Sequence, residues 1–303
     1  MFSRRHPILF FLLMSLAIFM GGFLLISIIT SAILSNTFAS PKNIISSSEV
    51  VGLVEITDTI IDSCEYIEQL QALVDEKAVK SILIRVDTPG GSVGASQELY
   101  AEIIRIKKKK PVIVSMGNMC ASGGYYLASA ATGIVANPGT MTGSIGVILT
   151  TANIEELLQK LGISTSSIKS GEYKDIASFS RPMTPEEKEL LQELIDQTNA
   201  QFIRAIAKGR DLPVKEVTEI ADGRPILGET ALGLHLVDRL GNYTDALLWA
   251  GKEGGISGMP ETVSVAPEPS FWEGMWMTSM SRVINHTFGK VSPGLAYLYA
   301  PGQ

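Results

Sequence analysis

Three short segments of the chain hold the residue types that acyl transfer requires. Residues 87–92, Asp-Thr-Pro-Gly-Gly-Ser, include a Pro-Gly-Gly string whose backbone N–H groups can face a ligand without a Cβ in the way. Residues 119–126 carry a serine followed by two glycines, and residues 169–175 carry two lysines. Taken alone, each segment also has an ordinary structural interpretation: a turn, a helix-capping serine and a surface lysine.

Ser122 is the candidate nucleophile. We predict that it lies at a strand-to-helix turn, where its Oγ is exposed and the N–H of Gly123 points to the same side. A nucleophile and an oxyanion donor from adjacent residues are what attack on a carbonyl carbon needs. The pattern is not the GxSxG elbow of many hydrolases, because residue 120 is a cysteine.

Lys169 and Lys174 are the candidate general bases. A lysine accepts a proton only when its amine is neutral, and burial lowers a lysine pKa from its reference value of about 10.4. The three segments follow one another as oxyanion loop, serine and lysine, each at the end of a predicted strand. A Ser-His-Asp triad is the weaker construction, because His235 and His286 have no local pattern that ties them to Ser122.

Other chemistries have less support in the sequence. The three histidines are scattered without metal-ligand spacing, so no metal site is predicted, and no cofactor is predicted. The Pro-Gly-Gly string is not followed by the GxxxxGK[ST] pattern of a phosphate-binding loop. Cys64 and Cys120 lack CxxC spacing; Cys120 is predicted to be buried and unreactive, and a disulfide between the two stays open.

The elements that must position these residues alternate between strand and helix. Repeated β-then-α units predict an α/β body with parallel strands, in which chemistry gathers where strands end and helices begin. The predicted strands cover residues 50–56, 81–86, 112–116, 134–136, 144–149 and 163–168. The predicted helices cover residues 63–75, the stretch capped by Ser92, a short helix near Ser122, and residues 153–161, 184–210 and 213–220.

The charge distribution predicts a membrane anchor. The chain has 303 residues and a net charge of −6, but residues 6–41 contain no Asp, Glu, Lys or Arg. The apolar run of residues 8–34 exceeds the roughly 20 residues that cross a bilayer, which favours a retained span over a cleaved signal peptide. Arg4 and Arg5 precede it, so the positive-inside rule places the N-terminus in the cytoplasm and residues 42–303 outside it.

The rest of the chain is an acidic globular sequence. Residues 42–303 carry 23 basic and 31 acidic side chains, a net charge of −8, which argues against nucleic-acid binding. Residues 42–49 are predicted to be a tether. Residues 256–303 have no assigned role, and their aromatic and Met-rich stretch, residues 271–288, is interpreted either as an interfacial helix or as a tail that packs on protein.

Four blocks in order make the resemblance specific: residues 87–92, 120–126 (Cys-Ala-Ser-Gly-Gly-Tyr-Tyr), 142–147 (Thr-Gly-Ser-Ile-Gly-Val) and 171–175 (Gly-Glu-Tyr-Lys-Asp). Together they resemble the short, single-domain bacterial form of the signal peptide peptidase A family. The resemblance covers the anchor and roughly residues 50–250. It implies a ClpP/crotonase-like fold of repeated ββα and βα units over a peptidase domain at residues 50–255, preceded by one transmembrane helix.

The resemblance also implies roles for individual residues. Ser122 matches the nucleophile and Lys174 the general base of a Ser-Lys dyad, and Ser144 matches a serine that helps hold the lysine amine. Gly123 and the Gly90-Gly91 loop match the oxyanion hole, with the choice between the two loop glycines left open.

The resemblance also implies the substrates, the location and the oligomeric state of the protein. The substrates would be signal peptides left in the bacterial cytoplasmic membrane and other apolar peptides, cleaved on the extracytoplasmic side. The dyad partners would come from neighbouring subunits of a ring, octameric in short forms. Two rival hypotheses are a membrane-bound Ser-Lys protease of the type that has stomatin-like partners, and a crotonase-like enzyme acting on acyl-CoA. A third is a catalytically silent scaffold.

Overall fold

The structure, a computed structural model, describes residues 8, 14, 19–23 and 49–265 and the backbone of residues 296–298. The chain divides into two units, residues 1–46 and 47–303, and the described residues of the first unit are helical. None of the helices in the described part of the chain has the length and apolarity that a membrane span requires. Most of the predicted span over residues 8–34, nearly all of the predicted tether and the stretch 271–288 lie outside the described residues.

The second unit alternates strands and helices, as predicted. Its described strands are β1 (Val50–Thr57), β2 (Val79–Thr88), β3 (Gly90–Ser92), β4 (Val112–Ala121), β5 (Gly133–Ala136), β6 (Met141–Gly143), β7 (Pro225–Leu227), β8 (Arg239–Leu240), β9 (Thr262–Val263) and β10 (Ala296–Leu298). Its described helices are α1 (Cys64–Asp75), α2 (Val93–Ile106), α3 (Gly123–Ala128), α4 (Glu155–Lys160), α5 (Pro185–Arg210), α6 (Val214–Ile220), α7 (Gly228–Gly233) and α8 (Tyr243–Glu253), with a 3-10 turn at Glu172–Asp175.

A mixed sheet forms the centre of this unit. Its strand order is β7-β6-β4-β2-β1-β9, and β5 lies beside the first half of β4, with β8 beyond it. All pairs in this sheet are parallel except β6 with β7, so the predicted α/β architecture with parallel strands is confirmed. Strand β4 pairs with β5 over residues 113–115 and with β6 over residues 119–121, so β6 replaces β5 as its neighbour in the half that leads to the candidate nucleophile.

Apolar residues on both faces of the sheet are covered by helices. One face packs against α1, α2, α3 and α5 in a large core, and the other packs against α8. Alternate residues of one strand serve the two cores: Ile82 and Ile84 face the large core, whereas Leu83 faces α8. Burial on both faces explains the near-continuous apolar run of β2.

The long helix α5 begins at a capping box. Thr184 Oγ1 accepts the backbone N–H of Glu187 at 3.2 Å, and the Glu187 carboxylate accepts the backbone N–H of Thr184 at 2.9 Å. Pro185 occupies the first turn, where its missing N–H costs nothing. The predicted start of this helix is confirmed. The cap predicted for α2 is wrong, because the Ser92 side chain forms no capping hydrogen bond.

Two predicted strands are wrong. The strand predicted at residues 144–149 lies instead at Met141–Gly143, because Gly143 and Ser144 have φ values of 72° and 48°, which a strand cannot continue through. Residues 163–168 form no strand: the backbone finds no neighbouring strand there, and Ile168 is fully exposed. The third candidate segment therefore follows an irregular stretch.

Residues 148–181, called the arm below, contain no buried side chain. Helix α4 and the 3-10 turn both belong to it, and neither buries a residue. The arm also carries many exposed large apolar side chains: Ile148, Ile154, Leu157, Leu161, Ile163, Ile168, Tyr173 and Phe179. A contiguous segment of this kind is typical of a surface that binds another protein.

The smaller core predicts a test of the fold. Leu83→Ala removes a fully buried side chain between the sheet and α8 and should lower the free energy of unfolding by about 2–5 kcal/mol. Leu248→Ala on the exposed side of α8, where the leucine is 40% exposed, should change it by about 0.5 kcal/mol or less. Urea unfolding of the purified full chain measures both, and equal effects would contradict this account of the second core.

Candidate active site

Ser122 sits at the junction of β4 and α3. Its backbone has φ 53° and ψ −117°, a conformation that costs free energy for a residue with a Cβ and that often marks functional sites. The Ser122 N–H is donated to the carbonyl of Gly143 at 2.8 Å, which ties the turn to β6. The Ser122 side chain is buried, and its Oγ has no hydrogen-bond partner in the described part of the chain. A buried hydroxyl left unpaired calls for an explanation other than stability.

The helix that follows Ser122 packs directly on the end of β2. A Cβ on Gly124 would lie 2.5 Å from the Thr88 methyl group, so only glycine allows α3 this close approach. This contact places Ser122 and Gly123 beside the loop that follows β2. The predicted position of the serine at a strand-to-helix turn is confirmed, but the predicted exposure of its Oγ is wrong, because the turn packs against neighbouring elements and buries the side chain.

The loop at Gly90 and Gly91 is held from two directions. Gly90 has φ 111°, and a Cβ on Gly91 would lie 1.9 Å from the carbonyl oxygen of Ile60. The buried Thr88 hydroxyl accepts the N–H of Gly90 at 3.1 Å and is hydrogen-bonded to the carbonyl of Asp58. The loop is thus fixed against both its own strand and the segment after β1.

Asp87 joins the loop to the strand that leads to Ser122. Between the pairs Val86–Met116 and Thr88–Cys120, this one residue of β2 faces three residues of β4, which form a bulge. Its carboxylate accepts the N–H of Asn118 at 3.2 Å, the Asn118 side-chain amide at 3.1 Å and the N–H of Met119 at 3.0 Å. Sequence reasoning missed this role, although Gly117-Asn118 inside a strand is a bulge signal.

Ser144 lies at the end of β6, next to Ser122. The residues that precede the two serines, Ala121 and Gly143, are paired in the sheet. The Ser144 N–H is donated to the carbonyl of Arg224 at 3.0 Å, and its Oγ donates to the carbonyl of Gly223 at 3.1 Å. Like Ser122, it has a positive φ and is buried.

Lys174 does not join this group within one chain. It lies in the 3-10 turn of the arm, where its side chain is exposed and forms no hydrogen bond or ion pair with the described residues. The other candidate, Lys169, donates to the Glu172 carbonyl at 2.7 Å and to the Asp175 carboxylate. Within one protomer, Ser122, Gly123, Gly90, Gly91 and Ser144 lie at neighbouring ends of β2, β4 and β6, and Lys174 is hydrogen-bonded to none of them.

The cysteines are free, and they differ in exposure. Cys120 is fully buried, and burial, reinforced by the Asp87 carboxylate, raises the pKa of its thiol far above the usual range. The predicted burial of Cys120 is confirmed, and its thiol is protonated at neutral pH. Cys64 is exposed. In the part of the chain that the structure describes, no cluster of His, Cys, Asp or Glu has the arrangement of a metal site.

Comparison with known protein families gives two matches. The profile of Peptidase family S49 matches residues 104–257, and that of Clp protease matches residues 36–144. Together the two regions contain every residue of the group around Ser122, and the first also contains Lys174. The α/β sheet described above fits a ClpP-like fold.

Curated relatives agree with the profiles. A putative protease from Synechocystis is 46% identical over 70% of this chain and 76% of its own length. A putative protease from Methanocaldococcus jannaschii is 42% identical over 61% of this chain and 60% of its own. A putative signal peptide peptidase SppA from Enterococcus faecium is 35% identical over 73% of this chain and 67% of its own.

The bulge at Asp87 predicts a local effect of mutation. Asp87→Ala removes the acceptor of three hydrogen bonds, so the amides of Asn118 and Met119 should exchange faster and the free energy of unfolding should fall by about 1–3 kcal/mol. Hydrogen exchange followed by mass spectrometry measures the first effect and urea unfolding the second. Glu55→Ala, at an exposed position on β1, is the control. Unchanged exchange at residues 117–122 would contradict this role of Asp87.

Proposed function

Because the chain belongs to peptidase family S49 and is a serine peptidase, we propose that Ser122 and Lys174 form its catalytic dyad and that it degrades remnant signal peptides at a membrane. The observation that carries the proposal is the buried Ser122 Oγ, which has no hydrogen-bond partner among the described residues. A nucleophilic serine needs a free oxygen, an adjacent oxyanion site and a general base. Within one protomer, no base is hydrogen-bonded to the Ser122 Oγ.

The proposed reaction proceeds in two steps. Neutral Lys174 takes the proton of Ser122 Oγ as that oxygen attacks the peptide carbonyl carbon, and the resulting ammonium gives a proton to the leaving amine. The Gly123 N–H stabilises the oxyanion. Gly91 is the better second donor, since the N–H of Gly90 is already donated to Thr88. Water, deprotonated by Lys174, then hydrolyses the acyl-enzyme ester.

We propose that the lysine comes from a second copy of this chain. Lys174 is exposed on the arm, and the arm presents apolar side chains without burying any. Docking of an arm onto a neighbouring protomer would bury those side chains and bring Lys174 to the Ser122 and Ser144 of that neighbour. Head-to-tail contacts of this kind close into a ring, for which eight copies is the proposed number.

A peptide substrate would bind by pairing with the outer edge of β3. The backbone of β10 pairs antiparallel with β3, opposite the two loop glycines. A peptide substrate in extended form would replace β10 at this edge and pair in the same manner, with its carbonyl next to Ser122. Main-chain pairing supplies affinity that depends little on sequence, which suits a peptidase acting on varied apolar segments.

The rival hypotheses are weaker. The two profile matches are to peptidases, which does not favour an acyl-CoA enzyme or a silent scaffold. The uncharged run of residues 6–41 supports one anchor, with the peptidase unit on the extracytoplasmic side of a bacterial cytoplasmic membrane.

Mixing two inactive variants tests the proposed dyad. Ser122→Ala and Lys174→Ala should each lower kcat on an apolar peptide by about 10³-fold or more. Protomers of the two variants, co-expressed with different tags and purified through both, should regain roughly a quarter of the wild-type activity, because some sites then pair an intact serine with an intact lysine. Each variant carried through the same procedure alone is the control. Full activity of either variant alone would refute the dyad, and no recovery would place both residues in one chain.

Cell fractionation tests the anchor. The full chain should stay in the membrane pellet after a carbonate wash. Leu16→Arg with Leu24→Arg should move it to the supernatant, because each charge in mid-span costs about 2.5–3.5 kcal/mol. Leu16→Ile with Leu24→Ile is the matched control. Protease added to spheroplasts should digest residues 42–303, and a wild-type chain found in the supernatant would contradict the anchor.

A further inference from the structure

We infer that Arg181 is a positioning residue for catalysis. It joins the 3-10 turn, which contains Lys174, to the N-terminus of α5. The inference rests on the proposed function, in which Lys174 is the general base. Lys174 belongs to an arm without a buried side chain, so apolar packing within the protomer does not hold the turn in place.

The guanidinium of Arg181 forms an ion pair with Asp175, the residue next to Lys174. Its Nε donates to Asp175 Oδ2 at 3.0 Å and its Nη2 donates to Oδ1 at 2.8 Å, a bidentate pair. Nη2 also lies 3.2 Å from the Asp175 carbonyl oxygen, so the backbone of the turn is held as well as the side chain. The Asp175 side chain is 17% exposed, which makes this pair less screened than an ordinary surface ion pair.

The same guanidinium also binds Glu187 in the first turn of α5. Nη1 donates to Glu187 Oε2 at 2.8 Å, and Nη2 donates to the other carboxylate oxygen. Glu187 is buried and takes part in the capping box with Thr184, so the helix itself fixes this carboxylate. Arg181 therefore connects a loose turn to a rigid element through two paired carboxylates.

Only arginine suits this position. The guanidinium offers five N–H donors in one plane, and the two carboxylates use them from two sides, whereas an ammonium group is a single point charge. Lys169 adds a second cation at Asp175 Oδ1, the oxygen that Arg181 Nη2 also contacts, and it donates to the Glu172 carbonyl as well. The ionised groups around the turn are thus Glu172 and Asp175 within it, Lys169 before it, Arg181 after it and Glu187 on α5.

Both carboxylates of the network are ionised at neutral and alkaline pH. Hydrogen bonds from Arg181 lower the pKa of Glu187 to about 2, and those from Arg181 and Lys169 lower the pKa of Asp175 further below its usual range. A carboxylate with a lowered pKa stabilises the folded state above its unfolded pKa and loses that contribution only as the pH falls through the lowered value. A change in activity at neutral or alkaline pH will therefore not come from loss of this network.

Kinetics of the assembled full-length enzyme test the inference. Arg181→Met should lower kcat on an apolar peptide by roughly 10²-fold with KM changed less than about twofold, because a displaced base slows proton transfer without altering peptide binding. The pH at half-maximal activity should also rise, since a displaced amine stays in water and keeps its proton longer. Arg181→Lys should recover little, and it serves as the second variant if the methionine variant does not fold. Arg105→Met, at an exposed arginine paired with Glu102 away from the site, is the matched control. It should leave kcat and the pH at half-maximal activity unchanged.

The outcomes separate a positioning role from a structural one. An equal loss at every pH with an unshifted half-maximal pH, or a loss that follows disassembly of the oligomer in light scattering, would overturn the inference. Wild-type kinetics in both Arg181 variants would overturn it as well. The proposed function fails separately, if Lys174→Ala keeps wild-type activity.

Discussion

The candidate site depends on the pairing of β2 with β4, and Asp87 sets the register of that pairing at the bulge before Ser122. Its carboxylate holds three residues of β4 opposite one residue of β2, so the two strands leave the sheet in a fixed relation. The oxyanion loop follows one strand directly, and Ser122 follows the other. Without the bulge, Thr88 would face Asn118 and not Cys120, and the loop would no longer lie beside the serine.

Thr88 and Gly124 fix the same relation from the opposite face. The threonine hydroxyl holds the loop, and its methyl group leaves no room for a Cβ on Gly124. Two consecutive residues, Asp87 and Thr88, thus point to opposite faces of the sheet and together determine how Ser122 lies relative to the Gly90-Gly91 loop. This is a precise construction made from ordinary strand geometry, and the positive φ values of Ser122 and Ser144 are the local cost.

The sequence predicted the part of this arrangement that depends on local patterns. Apolar runs located β1, β2 and β4, Thr184 to Glu187 located the start of α5, and two glycines after Ser122 located its turn. The strands predicted at residues 144–149 and 163–168 were wrong, because strand formation depends on a neighbouring strand and on φ values. Neither is visible in apolar alternation. The roles of Asp87 and Arg181 were missed for a related reason. The partners of Asp87 lie about 30 residues away, and Arg181 joins two carboxylates that lie six residues before and after it. A single sequence does not record which of many nearby charges pair. The site assignments of Ser122, Lys174, Ser144 and the glycines stay predictions.

The separation of Ser122 from Lys174 in one chain has a consequence for how the proposed enzyme comes into being. If these two residues form the proposed dyad, a newly made protomer would hold a nucleophile without its base and a base without its nucleophile. On this proposal it is latent, and it becomes a peptidase only when copies meet. Activity would then rise more steeply than protein concentration at low abundance, and a chain folding alone in a membrane crowded with newly exported proteins would do them no harm. Assembly would take the place that removal of a propeptide has in many secreted proteases.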